Sequence, residues 1–145
     1  MRILIIEDSP RKYETTERYI KKVLPDAEIV WEMYAKGGVN RMLKEDFDFY
    51  VVDMYMPINS DSRIDTEGGF YVLNYMSRPN NNLDIAKAVV NSSEETVRNK
   101  MDEKGFKDVS FIHNSSMYDL TNEFKNLFET KADQLKCYAK GLEND

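Results

Sequence analysis

The clearest hydrophobic pattern in the chain is a pair of uninterrupted apolar runs, each of which ends in acidic residues. Residues 3–6 lead into Glu7 and Asp8, and residues 49–52 lead into Asp53. Both runs are rich in β-branched or aromatic residues and lack polar alternation, so we predict two strands that are buried on both faces of a sheet. A carboxylate at the end of such a strand needs a compensating partner, which makes these acids candidates for chemistry.

Apolar segments and helical patterns alternate along the whole chain. The predicted strands cover residues 2–6, 27–31, 48–53, 86–90 and 109–112, and a predicted helix follows each of them. This alternation favours an α/β fold, with a doubly wound five-stranded parallel sheet and right-handed crossovers. The flavodoxin-like strand order 2-1-3-4-5 fits five strands and makes the first and third strands neighbours. We therefore expect a single domain over residues 1–145.

Capping residues and glycines predict where the helices begin. Ser9 and Pro10 predict the start of the first helix, and Gly37-Gly38 predicts the start of the second. Ser92, with Glu95 three residues later, predicts the N-cap of the fourth helix. The apolar residues spaced for the buried face of the second helix are Val39, Met42 and Leu43. The charged residues that predict a solvated face on the first helix are Lys12, Glu14, Glu17 and Lys21.

The last predicted helix is long, running over about residues 117–140. Its predicted buried side chains are Leu120, Phe124, Leu127, Phe128 and Leu135. Its exposed end carries Cys137, Tyr138 and Leu142, through which the helix could pair with a second copy in a homodimer.

Composition and net charge limit the kinds of partner and the cellular compartment that we expect. The formal net charge is −6 and the isoelectric point is about 4.9, which argues against electrostatically driven binding to nucleic acid. No apolar stretch is long enough to span a membrane, so we expect no membrane partner either. Cys137 is the only cysteine, which excludes an intramolecular disulfide and favours the reducing cytoplasm.

The three acids at the strand ends are expected to meet in one pocket. Carboxyl ends of neighbouring parallel strands share one edge of the sheet, so Glu7, Asp8 and Asp53 should converge there. Their mutual repulsion is relieved by a divalent cation with oxygen ligands, and we predict a Mg²⁺ site. Trp31 is predicted to lie one strand away and to report binding only faintly.

Three stretches of the chain match one known pattern: Ile6-Glu7-Asp8-Ser9-Pro10, Asp53-Met54-Tyr55-Met56-Pro57 and Ser92. On these residues the chain resembles a response-regulator receiver domain of two-component signalling over about residues 1–128, and the predicted last helix extends about four turns beyond the usual end of such a domain. The resemblance implies that Glu7, Asp8 and Asp53 hold Mg²⁺ and that Asp53 accepts a phosphoryl group. It also implies that Ser92 bonds to that group. The implied partners are a histidine kinase or phosphotransfer protein and a downstream protein that docks on the domain.

Two features depart from the pattern of the family. Receivers carry a lysine after the fifth strand, but this chain reads Phe111-Ile112-His113-Asn114-Ser115 there. Either His113 or Asn114 takes the lysine position, and His113 is the candidate substitute. The segment between Pro57 and Gly68 is also longer than in the family. The acids that it brings close to the predicted pocket are Asp61, Asp65 and Glu67.

Three functional hypotheses follow from these residues. The leading one is a stand-alone receiver-like signalling domain of a phosphorelay, in which phosphorylation of Asp53 is read by a docking protein. The second is a pseudo-receiver, a binding module that phosphorylation does not regulate, because the lysine is missing. The third is a receiver-like enzyme that processes phosphate esters or cyclic phosphates. A regulatory phosphoacceptor is favoured over an enzyme.

Overall fold

The computed structural model describes residues 1–61, 67–79, 81–114 and 120–131 of the chain. The predictions that lie outside these residues concern Asp65, Ser115, Leu135, Cys137, Tyr138, Leu142 and the ends of the last helix. In the described part of the chain, no helix combines the length and the apolarity that crossing a membrane requires.

Strands and helices alternate as the hydrophobic pattern predicts. In chain order they are β1 (Arg2–Ile6), α1 (Pro10–Val23), β2 (Glu28–Glu32), α2 (Ala35–Lys44), β3 (Phe49–Val52), α3 (Gly68–Met76), β4 (Ala88–Ser92), α4 (Thr96–Glu103) and β5 (Ser110–His113). A short 3-10 turn, Ile85–Lys87, precedes β4. The last helix, α5, is described over residues 121–131.

The five strands form one parallel sheet in the order β2-β1-β3-β4-β5. This order confirms the predicted doubly wound, flavodoxin-like fold. Strand β1 lies between β2 and β3, with Ile6 opposite Val52 in the β1–β3 register. The ends of β1 and β3 therefore lie side by side at the carboxyl edge of the sheet, as predicted.

The sheet separates two hydrophobic cores. Helices α2, α3 and α4 cover one face, and α1 and α5 cover the other. On the second face the ring of Phe49 from β3 meets that of Phe128 from α5, with 4.9 Å between centroids. Leu120, Phe124 and Phe128 are buried, which confirms the predicted inner face of the last helix within its described part.

Helix α2 begins two residues earlier than predicted, at Ala35 rather than at Gly37. Its two glycines lie in the first turn because the helix packs closely on β1: a Cβ atom on Gly38 would stand 2.3 Å from Ile6 Cδ1. The prediction that Leu43 is buried was wrong, since 55% of this residue is exposed. The buried stripe of α2 instead follows helical spacing over Ala35, Gly38, Val39 and Met42.

The predicted N-cap at Ser92 was also wrong. Ser92 is the last residue of β4, and α4 begins only at Thr96. Strand β4 lies two residues later than predicted because it pairs with β5 up to Ser92 and His113. The Ser92 hydroxyl still accepts a hydrogen bond from a local amide, that of Glu94 at 3.2 Å.

The two glycines of α2 provide a matched stability test. Gly38→Ala should lower the free energy of unfolding by about 1–3 kcal/mol, since the new methyl group overlaps Ile6 in a packed core. Gly37→Ala places its methyl group 2.9 Å from Glu32 Oε2, at the end of a movable side chain. Because alanine favours helix by up to about 1 kcal/mol over glycine, this variant should be unchanged or more stable. Urea denaturation measures both, and equal stabilisation of the two variants would contradict the close packing of α2 on β1.

Candidate functional site

Three carboxylates converge at the ends of β1 and β3. Glu7 and Asp8 directly follow β1, and Asp53 directly follows β3. The amide of Asp53 donates to the carbonyl oxygen of Ile6 at 3.0 Å, so the β1–β3 pairing continues into the site. One carboxylate oxygen from each acid lies within 4.8 Å of the other two. An all-oxygen set of this kind suits a hard divalent cation such as Mg²⁺.

Lys12 belongs to this site, contrary to the prediction of a solvated helix face. Its Nζ atom lies 3.2 Å from Asp53 Oδ1 and 3.4 Å from Glu7 Oε1. The Lys12 side chain is 33% exposed, whereas those of Glu7 and Asp53 are only 3% and 6% exposed. The signal was present in the sequence, because a residue in the first turn of a helix that directly follows β1 lies at the carboxyl edge of the sheet.

Burial and mutual contact shift the pKa values of Glu7, Asp53 and Lys12. Burial, reinforced by the charge of Asp53, raises the pKa of Glu7 to about 9, against the opposing effect of Lys12. Burial also raises the pKa of Asp53, although Lys12 and a hydrogen bond with Glu7 oppose that change. Burial acts to lower the pKa of Lys12, but the charges of Asp53 and Glu7 outweigh it and the net change is upward. The raised pKa favours the neutral form of Glu7, and the ammonium group of Lys12 lies against both acids, so part of the predicted repulsion is relieved.

Trp31 lies on β2, one strand away from β1 as predicted, and it also contacts the backbone of Glu7. Its indole Nε1 donates to the backbone carbonyl oxygen of Glu7 at 2.7 Å. The ring of Tyr13, the residue after Lys12, stacks on the indole with 4.2 Å between centroids. Trp31 is the only tryptophan in the chain, so its fluorescence reports directly on the acids and on the first turn of α1.

Solved structures share this architecture. No family model and no curated protein matches the sequence. A sensor protein from Polaromonas sp. JS666 matches with a TM-score of 0.66 and 17% identity, over 91% of this chain and 96% of its own. The response regulator TrrA from Thermotoga maritima, in complex with Mg²⁺ and BeF, matches with a TM-score of 0.64 and 16% identity, over 87% of this chain and 97% of its own. A CheY-like receiver domain protein from Methanospirillum hungatei JF-1 matches with a TM-score of 0.67 and 16% identity, over 93% of this chain and 96% of its own.

This chain has the fold of a response-regulator receiver domain. At such low identity the likeness establishes the fold, and the chemistry has to be argued from the residues of the site.

Ser92 and His113, two further predicted site residues, lie at the ends of β4 and β5. Ser92 is buried, and its carbonyl oxygen accepts from the amide of Asn114 at 2.8 Å. His113 Nε2 lies 3.0 Å from the carbonyl oxygen of Ser93. Among the described residues, only Lys12 forms ion pairs with Glu7 and Asp53. The end of β5 of this receiver fold therefore holds a histidine engaged with the β4–α4 loop.

Backbone contacts join the described ends of the long segment after β3. Met56 pairs with Glu67 in an isolated parallel bridge, and the amide of Gly68 donates to the carbonyl oxygen of Met56 at 3.0 Å. Glu67 Oε1 pairs with Lys100 Nζ of α4 at 3.0 Å, and Asp61 is exposed. Among the described loop acids, Glu67 is therefore committed to α4 rather than to the cluster.

Glu7→Gln tests the charge state of the pocket. Unfolded Glu7 ionises near pH 4.5, whereas the folded protein holds the proton up to about pH 9. Between these values the folded state binds more protons, so its free energy of unfolding falls as pH rises, by at most about 1.4 kcal/mol per pH unit. Glu7→Gln should remove this slope, as measured by urea denaturation in chelator from about pH 5.5 to about pH 8.5.

The exposed Glu14 of α1 provides the matched control. Glu14→Gln removes an acid from the same region and should keep the wild-type slope. If wild type and Glu7→Gln lose stability equally over this range, Glu7 is already ionised in the folded protein.

Proposed function

We propose that this chain is a phosphoryl-accepting receiver domain, with Asp53 as the acceptor. Glu7, Asp8 and Asp53 would hold Mg²⁺, and Ser92 would bond to the phosphoryl group. The observation that carries the proposal is the convergence of three carboxylates at the paired ends of β1 and β3. The receiver fold supports it, since one protein that shares this fold, TrrA, is seen in complex with Mg²⁺ and BeF.

The proposed reaction is a phosphoryl transfer to a carboxylate. An oxygen of Asp53 forms a bond to phosphorus, and the bond from phosphorus to the donor breaks. The donor, the phosphohistidine of a kinase or phosphotransfer protein, keeps the electron pair of that bond. Asp53 acts as the nucleophile in its ionised form, which Lys12 favours at 3.2 Å. Mg²⁺, when bound, supplies charge neutralisation for a reaction that depends mainly on positioning and electrostatics.

The other predicted properties follow from this role. A downstream protein would read the phosphorylated state by docking on β4, α4, β5 and α5. We assign the protein to the cytoplasm, where two-component receivers meet their kinases. A homodimer through the last helix would involve Cys137, Tyr138 and Leu142, beyond the described residues.

A pseudo-receiver is the second candidate, and one observation favours it. The ammonium group of Lys12 pairs with both Glu7 and Asp53, so it offsets part of the negative charge that a metal ion would otherwise neutralise. A pocket that is stable in this state could serve in a binding module that phosphorylation does not regulate. The enzyme hypothesis gains no similar support, since Glu67 pairs with Lys100 rather than with the cluster.

Incubation with acetyl phosphate and Mg²⁺ separates these candidates. We expect intact-mass spectrometry to show a gain of one phosphoryl group, which is lost on incubation with a base because acyl phosphates hydrolyse readily. Asp53→Asn should abolish the gain. Ser92→Ala should reduce its yield, because the phosphoryl group loses one hydrogen-bond donor.

Glu67→Gln provides a control that removes an acid outside the cluster and should be modified like the wild type. No mass gain in the wild-type protein would favour the pseudo-receiver. Turnover of a cyclic phosphate, which is assayed in parallel, would favour the enzyme.

A further inference from the structure

Lys12 is the feature that the receiver pattern does not explain. Its ammonium group forms both ion pairs that the described residues make with the carboxylate cluster. It reaches the cluster from the first turn of α1, on the face of the sheet that also carries Ile3, Ile5 and Val51. Glu7 and Asp53 continue this face by strand alternation, so a side chain from α1 can meet both of them.

We propose that Lys12 is the phosphoryl-binding cation of this site, supplied by α1 in place of a lysine after β5. This inference rests on the proposed phosphorylation of Asp53. The Lys12 ammonium group already donates to Asp53 Oδ1, so a phosphoryl group on either Asp53 oxygen would stand within reach of its remaining donors. A lysine on a flexible stem can move from one oxygen to another while it stays paired.

The end of β5 gives an independent reason to assign this role to α1. His113 Nε2 contacts the carbonyl oxygen of Ser93 at 3.0 Å, and the amide of Asn114 is bonded to the carbonyl oxygen of Ser92. The His113 ring is therefore engaged with the loop after β4, and Asn114 is bonded to the end of β4 through its backbone. Among the described residues, the positive charge that pairs with the cluster comes from α1.

The position of Lys12 implies opposite effects on two ligands. Its ammonium group contacts oxygens of Glu7 and Asp53 that a divalent cation would also need, so Lys12 competes with Mg²⁺ when Mg²⁺ binds alone. A phosphoryl group brings new oxygens and negative charge, which offer Lys12 another partner. Lys12 should therefore weaken the binding of Mg²⁺ alone and strengthen the binding of the phosphoryl group. A merely structural lysine would not change these two affinities in opposite directions.

Lys12→Gln tests this pair of effects, with Arg11→Gln as the matched control. Arg11 is the preceding residue, is exposed, and loses the same charge on substitution. One titration uses MgCl₂ alone, and a second uses beryllofluoride, a phosphoryl mimic, in saturating MgCl₂. Isothermal calorimetry measures both affinities, and Trp31 fluorescence provides an independent signal.

We expect Lys12→Gln to bind Mg²⁺ alone several-fold more tightly than Arg11→Gln, and beryllofluoride about tenfold more weakly, as the loss of one charge-assisted contact requires. Lys12→Arg retains the charge and should recover most of the beryllofluoride affinity. If Lys12→Gln does not fold, Lys12→Met keeps the proposal testable: methionine retains an unbranched stem without the charge, so it should also bind Mg²⁺ alone more tightly and beryllofluoride more weakly than Arg11→Gln.

Several outcomes would overturn the proposal. Equal beryllofluoride affinity in Lys12→Gln and Arg11→Gln would do so. A tenfold loss of beryllofluoride affinity in His113→Ala would also do so, because it would assign the role to β5. In these cases wild type still binds beryllofluoride and takes up phosphoryl from acetyl phosphate, so the proposed function stands. A wild-type protein that does neither would refute the proposed function as well.

Discussion

The pairing of β1 with β3 is the constraint on which the rest of the site depends. It places Ile6 opposite Val52, and the hydrogen bond from the Asp53 amide to Ile6 extends the pairing by one step. Side chains alternate between the faces of a strand, so a slip of one residue would move Asp53 away from Glu7 and into the core beside α2 and α3. The buried apolar residues on both faces of these strands oppose that slip. The hydrophobic core thus specifies where the carboxylates meet.

The close approach of these acids creates electrostatic repulsion, which other groups of the protein partly offset. Glu7 and Asp53 are nearly buried, where two unpaired charges would be costly. The ammonium group of Lys12 lies against both acids, and burial favours the neutral form of Glu7 by raising its pKa. The charges are thus partly offset within the protein, while the carboxylate oxygens remain grouped as a divalent cation requires. A fixed, fully compensated ion pair would give stability and no capacity to respond.

The sequence predicts the sheet and the convergence of the acids because both follow from local patterns and from general rules of parallel sheets. Helical periodicity wrongly assigns Lys12 to the solvent face, because periodicity takes no account of the position of the first turn after β1 at the carboxyl edge of the sheet. The start of α2 depends on the contact between Gly38 and Ile6, which is a tertiary packing effect. Similarly, Ser92 has the sequence signal of a helix cap, but pairing with β5 keeps it in the strand. Each error arises where a long-range contact overrides a local preference.

The polar contacts around α4 differ in kind from those in the pocket, and this difference bears on the signalling role that we propose. Tyr55 lies two residues after Asp53, and its hydroxyl accepts from Lys100 of α4 at 2.9 Å. Lys100 also pairs with Glu67, but both side chains are more than one third exposed, so solvent screens this pair strongly. At the other side of α4, Arg98 Nη1 donates to the carbonyl oxygen of Val109 at 2.9 Å, at the start of β5. Val97 and Met101 bury one side of α4 in the core, whereas its polar contacts are partly exposed and more easily exchanged. If Asp53 is phosphorylated as proposed, a change at Tyr55 would reach α4 through these polar contacts, on the surface where we propose that a partner docks.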